Sequence, residues 1–217
     1  MAKNTEISWA HHTLNIWWGC TKVRNNPCCD HCYAATFVQR VGNDIWGDNK
    51  PRRAIASAWT QLEKFNRIGE KTQTMQRVFT MSMGDIFERQ RPLVDHKGDH
   101  VDGDTGQLRS RLMQEIDDGR WPWINFLMLT KRPQNVMRMV PEHWLSGAWP
   151  QNVWVGTSVG DQENADRLIP HLLKIPAKVR FLSMEPLLGA IDLQRWFHGM
   201  GVQIRLRPVQ VSPSIDW

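Results

Sequence analysis

The sequence predicts an α/β protein built on a parallel sheet with helices between its strands. Short β-rich runs alternate with helix-like stretches. The runs are apolar on both faces, as strands covered by helices must be. The chain of 217 residues is long enough for one substantial core. This alternation implies βαβ units, hence an open α/β sheet or a (β/α) barrel.

In order, the predicted strands are Leu14–Trp18, Arg77–Met81, Ile124–Leu129, Val153–Thr157 and Val179–Ser183. Between them lie helical patterns. Tyr33–Val41 follows a cluster of cysteines. Ile55–Ile68 carries Ile55, Trp59, Leu62, Phe65 and Ile68 at close to helical spacing. Leu108–Ile116 precedes the third strand and Gln134–Met139 follows it. Another helix opens at Asp161, whose side chain suits an N-cap, with Glu163 facing the positive end of the helix dipole. Glu88–Gly106, rich in Gly, Asp and His, reads as a long exposed loop. Residues 1–198 read as one domain, and 199–217 form a tail whose structure the pattern does not define.

The net charge of +5 permits an acidic partner such as nucleic acid without requiring one, because the basic residues are scattered. The densest basic spots, Lys50-Pro51-Arg52-Arg53 and Lys131-Arg132, are short. No apolar run approaches the ~20 residues that span a bilayer, and the start of the chain has no apolar signal segment. A cytoplasmic protein is expected. Twelve tryptophans stand against one tyrosine, several in doublets, which fits large apolar anchors at strand ends.

All four cysteines fall within thirteen residues: Cys20, Cys28, Cys29 and Cys32. In a reducing compartment such a cluster reads as metal ligands rather than a disulfide framework. The spacing Cys20-x8-Cys29-x2-Cys32 puts two thiolates within one turn and a third on the preceding segment. Zinc would accept these three sulfurs with His31, Cys28 or water as a fourth ligand. An iron–sulfur cluster would use the three and leave one iron open. The spacing favours a metal without choosing which.

Functional groups of (β/α) barrels gather at the carboxyl ends of the strands. Those ends carry the cysteine loop, Ser82-Met-Gly-Asp85, Thr130-Lys131-Arg132-Pro133, Thr157-Ser158 and Ser183-Met-Glu185-Pro186. Asp85, Lys131, Arg132 and Glu185 are therefore expected to line a common pocket. The carboxylates suit an ammonium or acid–base work, and the cations suit a carboxylate or phosphate. The Asp/His residues of the long loop (Asp95, His96, Asp99, His100, Asp102, Asp104) read as solvated, and His11-His12 has no assignable role.

Seven co-linear blocks carry a family resemblance: Ile7-Ser-Trp9, Trp18-Gly-Cys-Thr-Lys-Val23, Cys29-Asp-His-Cys-Tyr-Ala34, Met81-Ser-Met-Gly-Asp-Ile-Phe87, Leu129-Thr-Lys-Arg-Pro133, Asn152-Val-Trp-Val-Gly-Thr-Ser158 and Arg180-Phe-Leu-Ser-Met-Glu-Pro-Leu-Leu-Gly189. In these the sequence resembles the phage-associated three-cysteine-motif proteins, which are similar to radical S-adenosylmethionine enzymes. The resemblance implies a partial (β/α) barrel holding a [4Fe–4S] cluster on Cys20, Cys29 and Cys32. It implies S-adenosylmethionine at the open iron and radical chemistry on an unknown substrate, such as a nucleic acid or a partner protein. By the same resemblance Asp85 would meet the methionyl amino group, Lys131 or Arg132 its carboxylate, and Ser158 and Glu185 the ribose or substrate. No catalytic residue follows from it. The family usually continues into a further strand and a Gly-Gly-Glu-Ser-Gly segment, whereas this chain stops at Ile215-Asp-Trp217, so a truncated form is expected. The reading from a different class is a zinc-stabilised nucleic-acid- or protein-binding module with a structural cysteine site.

Overall fold

A computed structural model describes residues 7–42 and 44–197; the tail 199–217 lies outside them. Five parallel strands form the central sheet: β1 (His12–Leu14), β4 (Gln76–Thr80), β7 (Ile124–Thr130), β8 (Val153–Ser158) and β9 (Arg180–Ser183), in that spatial order. The order follows the chain without reversal, so the sheet winds one way, as a (β/α) barrel does, with no topological switch point. Val78 pairs with His12 and Phe126, Phe126 with Val153, and Val155 with Arg180. Among the described residues the sheet is open, with β1 and β9 at its edges.

One face of the sheet is packed by helices. Leu14, Val78, Phe126, Val153 and Val155 meet Leu62 and Phe65 of α3 (Ala58–Thr72), Leu112 and Ile116 of α4 (Thr105–Asp117) and Leu172 of α6 (Gln162–Leu173) in one buried cluster. Ala58, Leu62, Phe65 and Gly69 make the buried stripe of α3 at spacings of three and four. Gly69 is required there, since a Cβ would lie 2.6 Å from that of Trp123. The helix ends at Gln73, in the left-handed conformation at φ +51. The opposite face is floored by Trp9, whose ring sits 4.8 Å from Phe79 and 5.9 Å from Phe181.

Asp161 caps α6 through Asn164 N–H at 2.8 Å, as the sequence predicts. The short α5 (Pro133–Met139) starts on Pro133, whose missing N–H costs nothing at that position. The final short helix is α7 (Gln194–Phe197).

Two predicted elements need correction. The run Leu14–Trp18 is not one strand. Asn15 turns out of the sheet, accepting Met83 N–H at 2.7 Å and donating to Ser82 Oγ at 2.9 Å. Trp17–Trp18 then forms β2, which pairs antiparallel with β3 (Arg52–Ala54) in a second sheet, completed by β5 (Pro92–Val94) and β6 (His100–Asp104) in the order β2-β3-β5-β6. The segment Glu88–Gly106 is not a structureless loop either. It folds back as the antiparallel pair β5 (Pro92–Val94) and β6 (His100–Asp104), with the Asp95 carboxylate accepting Lys97 and Asp99 N–H in the turn. His96, Asp99, His100 and Asp102 stay exposed because the hairpin is an edge of the small sheet. Asp104 begins α4 with a capping box: its carboxylate takes Gln107 N–H while Gln107 Oε1 takes Asp104 N–H, each at 3.0 Å.

Candidate metal centre

The cysteine segment leaves the second sheet at Gly19 and crosses the carboxyl ends of the parallel strands. Asn26 caps α1 (Pro27–Asp30) by accepting Cys28 N–H at 3.1 Å, with Pro27 at the first helical position. Cys29 sits within α1, and Cys32 occupies the N-cap position of α2 (Tyr33–Arg40). Two helix starts a few residues apart thus hold Cys29 and Cys32, while Cys20 arrives on a separate stretch.

All four cysteines border one cavity of about 560 Å³ at the carboxyl ends of the strands. Its wall includes Cys20, Cys28, Cys29 and Cys32 on one side, with Asp85, Lys131, Arg132, Ser158 and Glu185 on the others. The structure therefore brings together Asp85, Lys131, Arg132 and Glu185, the four residues expected to line a common pocket. The sulfurs face the same rim as Asp85 and Glu185. Ser158 is buried at the end of β8, whereas Glu185 is exposed at the rim.

Asp85 is 5% exposed and its carboxylate is saturated from within. Oδ1 accepts Thr130 Oγ1 at 2.7 Å and Phe87 N–H at 3.0 Å. Oδ2 accepts Arg132 Nη1 at 2.8 Å and Lys131 N–H at 3.1 Å. Arg132 extends the chain of contacts: Nη1 also lies 3.7 Å from Cys20 Sγ, and Nη2 donates to Thr21 O. Burial alone would lower the guanidinium pKa, but the Asp85 and Cys20 charges outweigh it and hold Arg132 above its ordinary value.

The four cysteines are free thiols. Burial pushes the Cys20 thiol up to about 12, against the pull of Arg132 in the other direction. Burial also raises Cys28 and Cys29. Lys131 opposes the rise at Cys28, and the Val23 N–H at 3.4 Å from Sγ opposes it at Cys29. Cys28 Sγ lies 3.8 Å from Pro186 O and packs against Gly160. Among the described residues, no group of three His, Cys, Asp or Glu side chains is already gathered to hold a metal ion. The thiols share a wall without closing on one point.

Sequence reasoning missed the second layer of this site. Arg52, counted there within a basic surface spot, is fully buried and paired with Glu88 at 2.5 Å, with Nε donating to the other carboxylate oxygen at 3.0 Å. Arg132, in the other basic spot, is only 11% exposed. Neither is available to a nucleic-acid backbone. The sole sequence signal for Arg52 is Pro51 beside it, which marks the start of a strand without revealing burial. Tyr33, 61% exposed, donates to Ser82 O at 3.0 Å across the cavity mouth, and no pattern singled it out. His12, left without a role, is buried at the far end of the sheet, stacked 4.1 Å from Phe65 and 3.1 Å from Gln76 Oε1. No helix among the described residues is long and apolar enough to cross a membrane.

Neither a curated protein nor a solved structure matches this chain. One family does, over residues 4–217, the family described as protein of unknown function (DUF5131). The match covers nearly the whole sequence, the cysteine segment and every strand end included, and the chain belongs to the DUF5131 family.

Proposed function

We propose that this protein is of the radical S-adenosylmethionine type, with a [4Fe–4S] cluster held by Cys20, Cys29 and Cys32 and S-adenosylmethionine in the adjoining cavity. The observation that carries the reading is the common wall: three free thiols, two cations and a rim carboxylate border one cavity at the carboxyl ends of parallel strands. The donor set fits a thiolate-ligated group. Cys29 Sγ receives a backbone N–H, and Cys20 Sγ receives a guanidinium. Both would offset negative charge on coordinated sulfur. The unreversed strand order fits the first part of a (β/α) barrel.

The chemistry such a cluster supplies when bound is one-electron transfer to S-adenosylmethionine. The chain's own residues bind and orient. Lys131 presents a cation for the carboxylate of the ligand, Glu185 a carboxylate for its ammonium, and buried Ser158 a hydroxyl for the ribose. Asp85 has its lone pairs filled by four protein donors, so we assign it to holding Arg132 rather than to meeting the amino group directly. Trp9 and Phe79 keep the base of the cavity apolar, which limits water at the reacting centre. The substrate is a further molecule entering by the rim. Four free cysteines in one cluster support a reducing compartment such as the cytoplasm for this protein.

Anaerobic purification with metal analysis and optical spectra tests the proposal. The expected product is brown, absorbs near ~400 nm and carries about four irons per chain. A colourless protein with stoichiometric zinc would replace this reading by a zinc-stabilised binding module, completed by a fourth ligand such as His31.

A further inference from the structure

Cys20 reaches the cavity on a different stretch of chain from Cys29 and Cys32. Its position relative to them is set neither by α1 nor by α2. Something must fix that stretch, and the contacts around it converge on two residues that do not border the cavity, Arg52 and Glu88.

Arg52 is fully buried on β3, and every nitrogen of its guanidinium is used. Nε and Nη2 hold Glu88, while Nη2 also donates to Thr21 Oγ1 at 2.9 Å and Gly47 O at 3.2 Å. Nη1 gathers the carbonyls of Ile45, Lys50 and Pro51 at 2.9–3.2 Å. Glu88 Oε1 accepts Thr21 N–H at 2.8 Å. On the other side of the cysteine, Gly47 N–H donates to Cys20 O at 3.0 Å. Gly19 adopts φ +110 directly against Arg52, where a Cβ would come within 2.7 Å of Arg52 Cδ and 2.3 Å of Ile45 O. Residues 19, 20 and 21 are thus pinned by the ion pair or by the loop it organises.

A buried ion pair is a poor way to gain stability, because desolvating two charges offsets most of their attraction. What it does supply is a single geometry, since a guanidinium fork satisfied at every nitrogen has one arrangement. We infer that Arg52 and Glu88 are positioning residues for Cys20, holding its backbone so that its sulfur faces Cys29 and Cys32 across the cavity wall. The inference rests on the reading of Cys20 as a ligand.

The test uses the full chain with Glu88→Gln, Arg52→Lys and the charge-free pair Arg52→Met/Glu88→Leu. The metal-free proteins are treated with iodoacetamide and the alkylation of each cysteine is followed by mass spectrometry. After anaerobic reconstitution with ferrous iron and sulfide, bound iron and the electron paramagnetic resonance of the reduced protein are measured. In folded variants Cys20 should be alkylated faster while Cys29 and Cys32 keep their wild-type rates, and iron affinity should fall about 10-fold or more, as loss of outer support for a ligand typically does. Arg52→Lys should restore part of both. A folded Arg52→Met/Glu88→Leu protein whose Cys20 reacts at the wild-type rate overturns the inference. So does the failure of all three variants to fold, which would make the pair a determinant of the whole fold. Wild-type protein that takes up no iron would sink the proposed function instead, while the alkylation rates still decide the role of the pair.

Discussion

Arg132 Nη1 lies 3.7 Å from Cys20 Sγ while the same nitrogen donates to Asp85 at 2.8 Å. One guanidinium therefore ties the end of β7 to the loop after β4 and to the first cysteine. The pair is almost wholly enclosed, so removing either partner strands a buried charge. Arg132→Gln or Asp85→Asn alone should cost about 3–5 kcal/mol of unfolding free energy. The double variant should recover a coupling of about 1–3 kcal/mol. Urea unfolding of the metal-free chain measures both, and strictly additive losses would show that the two side chains do not act together.

Cys28 and Cys29 are neighbours with opposite fates. Cys28 Sγ packs on Gly160 and Pro186 O, whereas Cys29 Sγ takes the Val23 N–H. Cys29→Ala should lose most of the iron retained by the wild type, and Cys28→Ala should keep it. Iron retention by Cys29→Ala equal to wild type would remove Cys29 from the ligand set.

Gly156 of β8 is paired directly with Phe181 of β9. A Cβ there would lie 2.4–2.6 Å from the Phe181 ring, which the Trp9 floor also contacts. Gly156→Ala should destabilise the chain by about 1–3 kcal/mol through overpacking. Adding Phe181→Leu should relieve part of that loss, a pattern that thermal unfolding can read directly.

Two groups give the metal-free chain opposite slopes with pH. His11 is held below its ordinary value of 6.5, first by burial and then by Arg77. The unfolded chain then binds the proton more readily, so stability is complete above about 6.5 and is lost as pH falls. His11→Asn should flatten that acid limb. Cys20, raised from 9.0 to about 12, behaves in the other sense: the folded chain keeps the proton, and stability falls as pH rises above 9. Denaturation midpoints between pH 5 and 10.5 check both, and an alkaline slope unchanged in Cys20→Ser would refute the second.

Four of the five parallel strands and most of their helices were legible in the sequence, because apolar runs and helical spacing report burial locally. Leu62 and Phe65 sit on the buried stripe that the pattern predicts. The break at Asn15 was not legible, since its cause is a pair of bonds to Ser82 and Met83, remote in the chain. The hairpin at 92–104 escaped for a related reason: an exposed edge carries polar residues on both faces and shows no apolar period.

By itself the sequence determined which residues stand at the strand ends and that its thiols cluster, since both are matters of order along the chain. Only the tertiary structure decided that Asp85 is spent on Arg132, that Cys28 Sγ packs on Gly160 and Pro186 O, and that Arg52 is a buried strut rather than a surface charge. Those outcomes depend on which distant groups share a desolvated space, where charge and hydrogen bonds must be satisfied from within. Spacing along the chain carries no record of that.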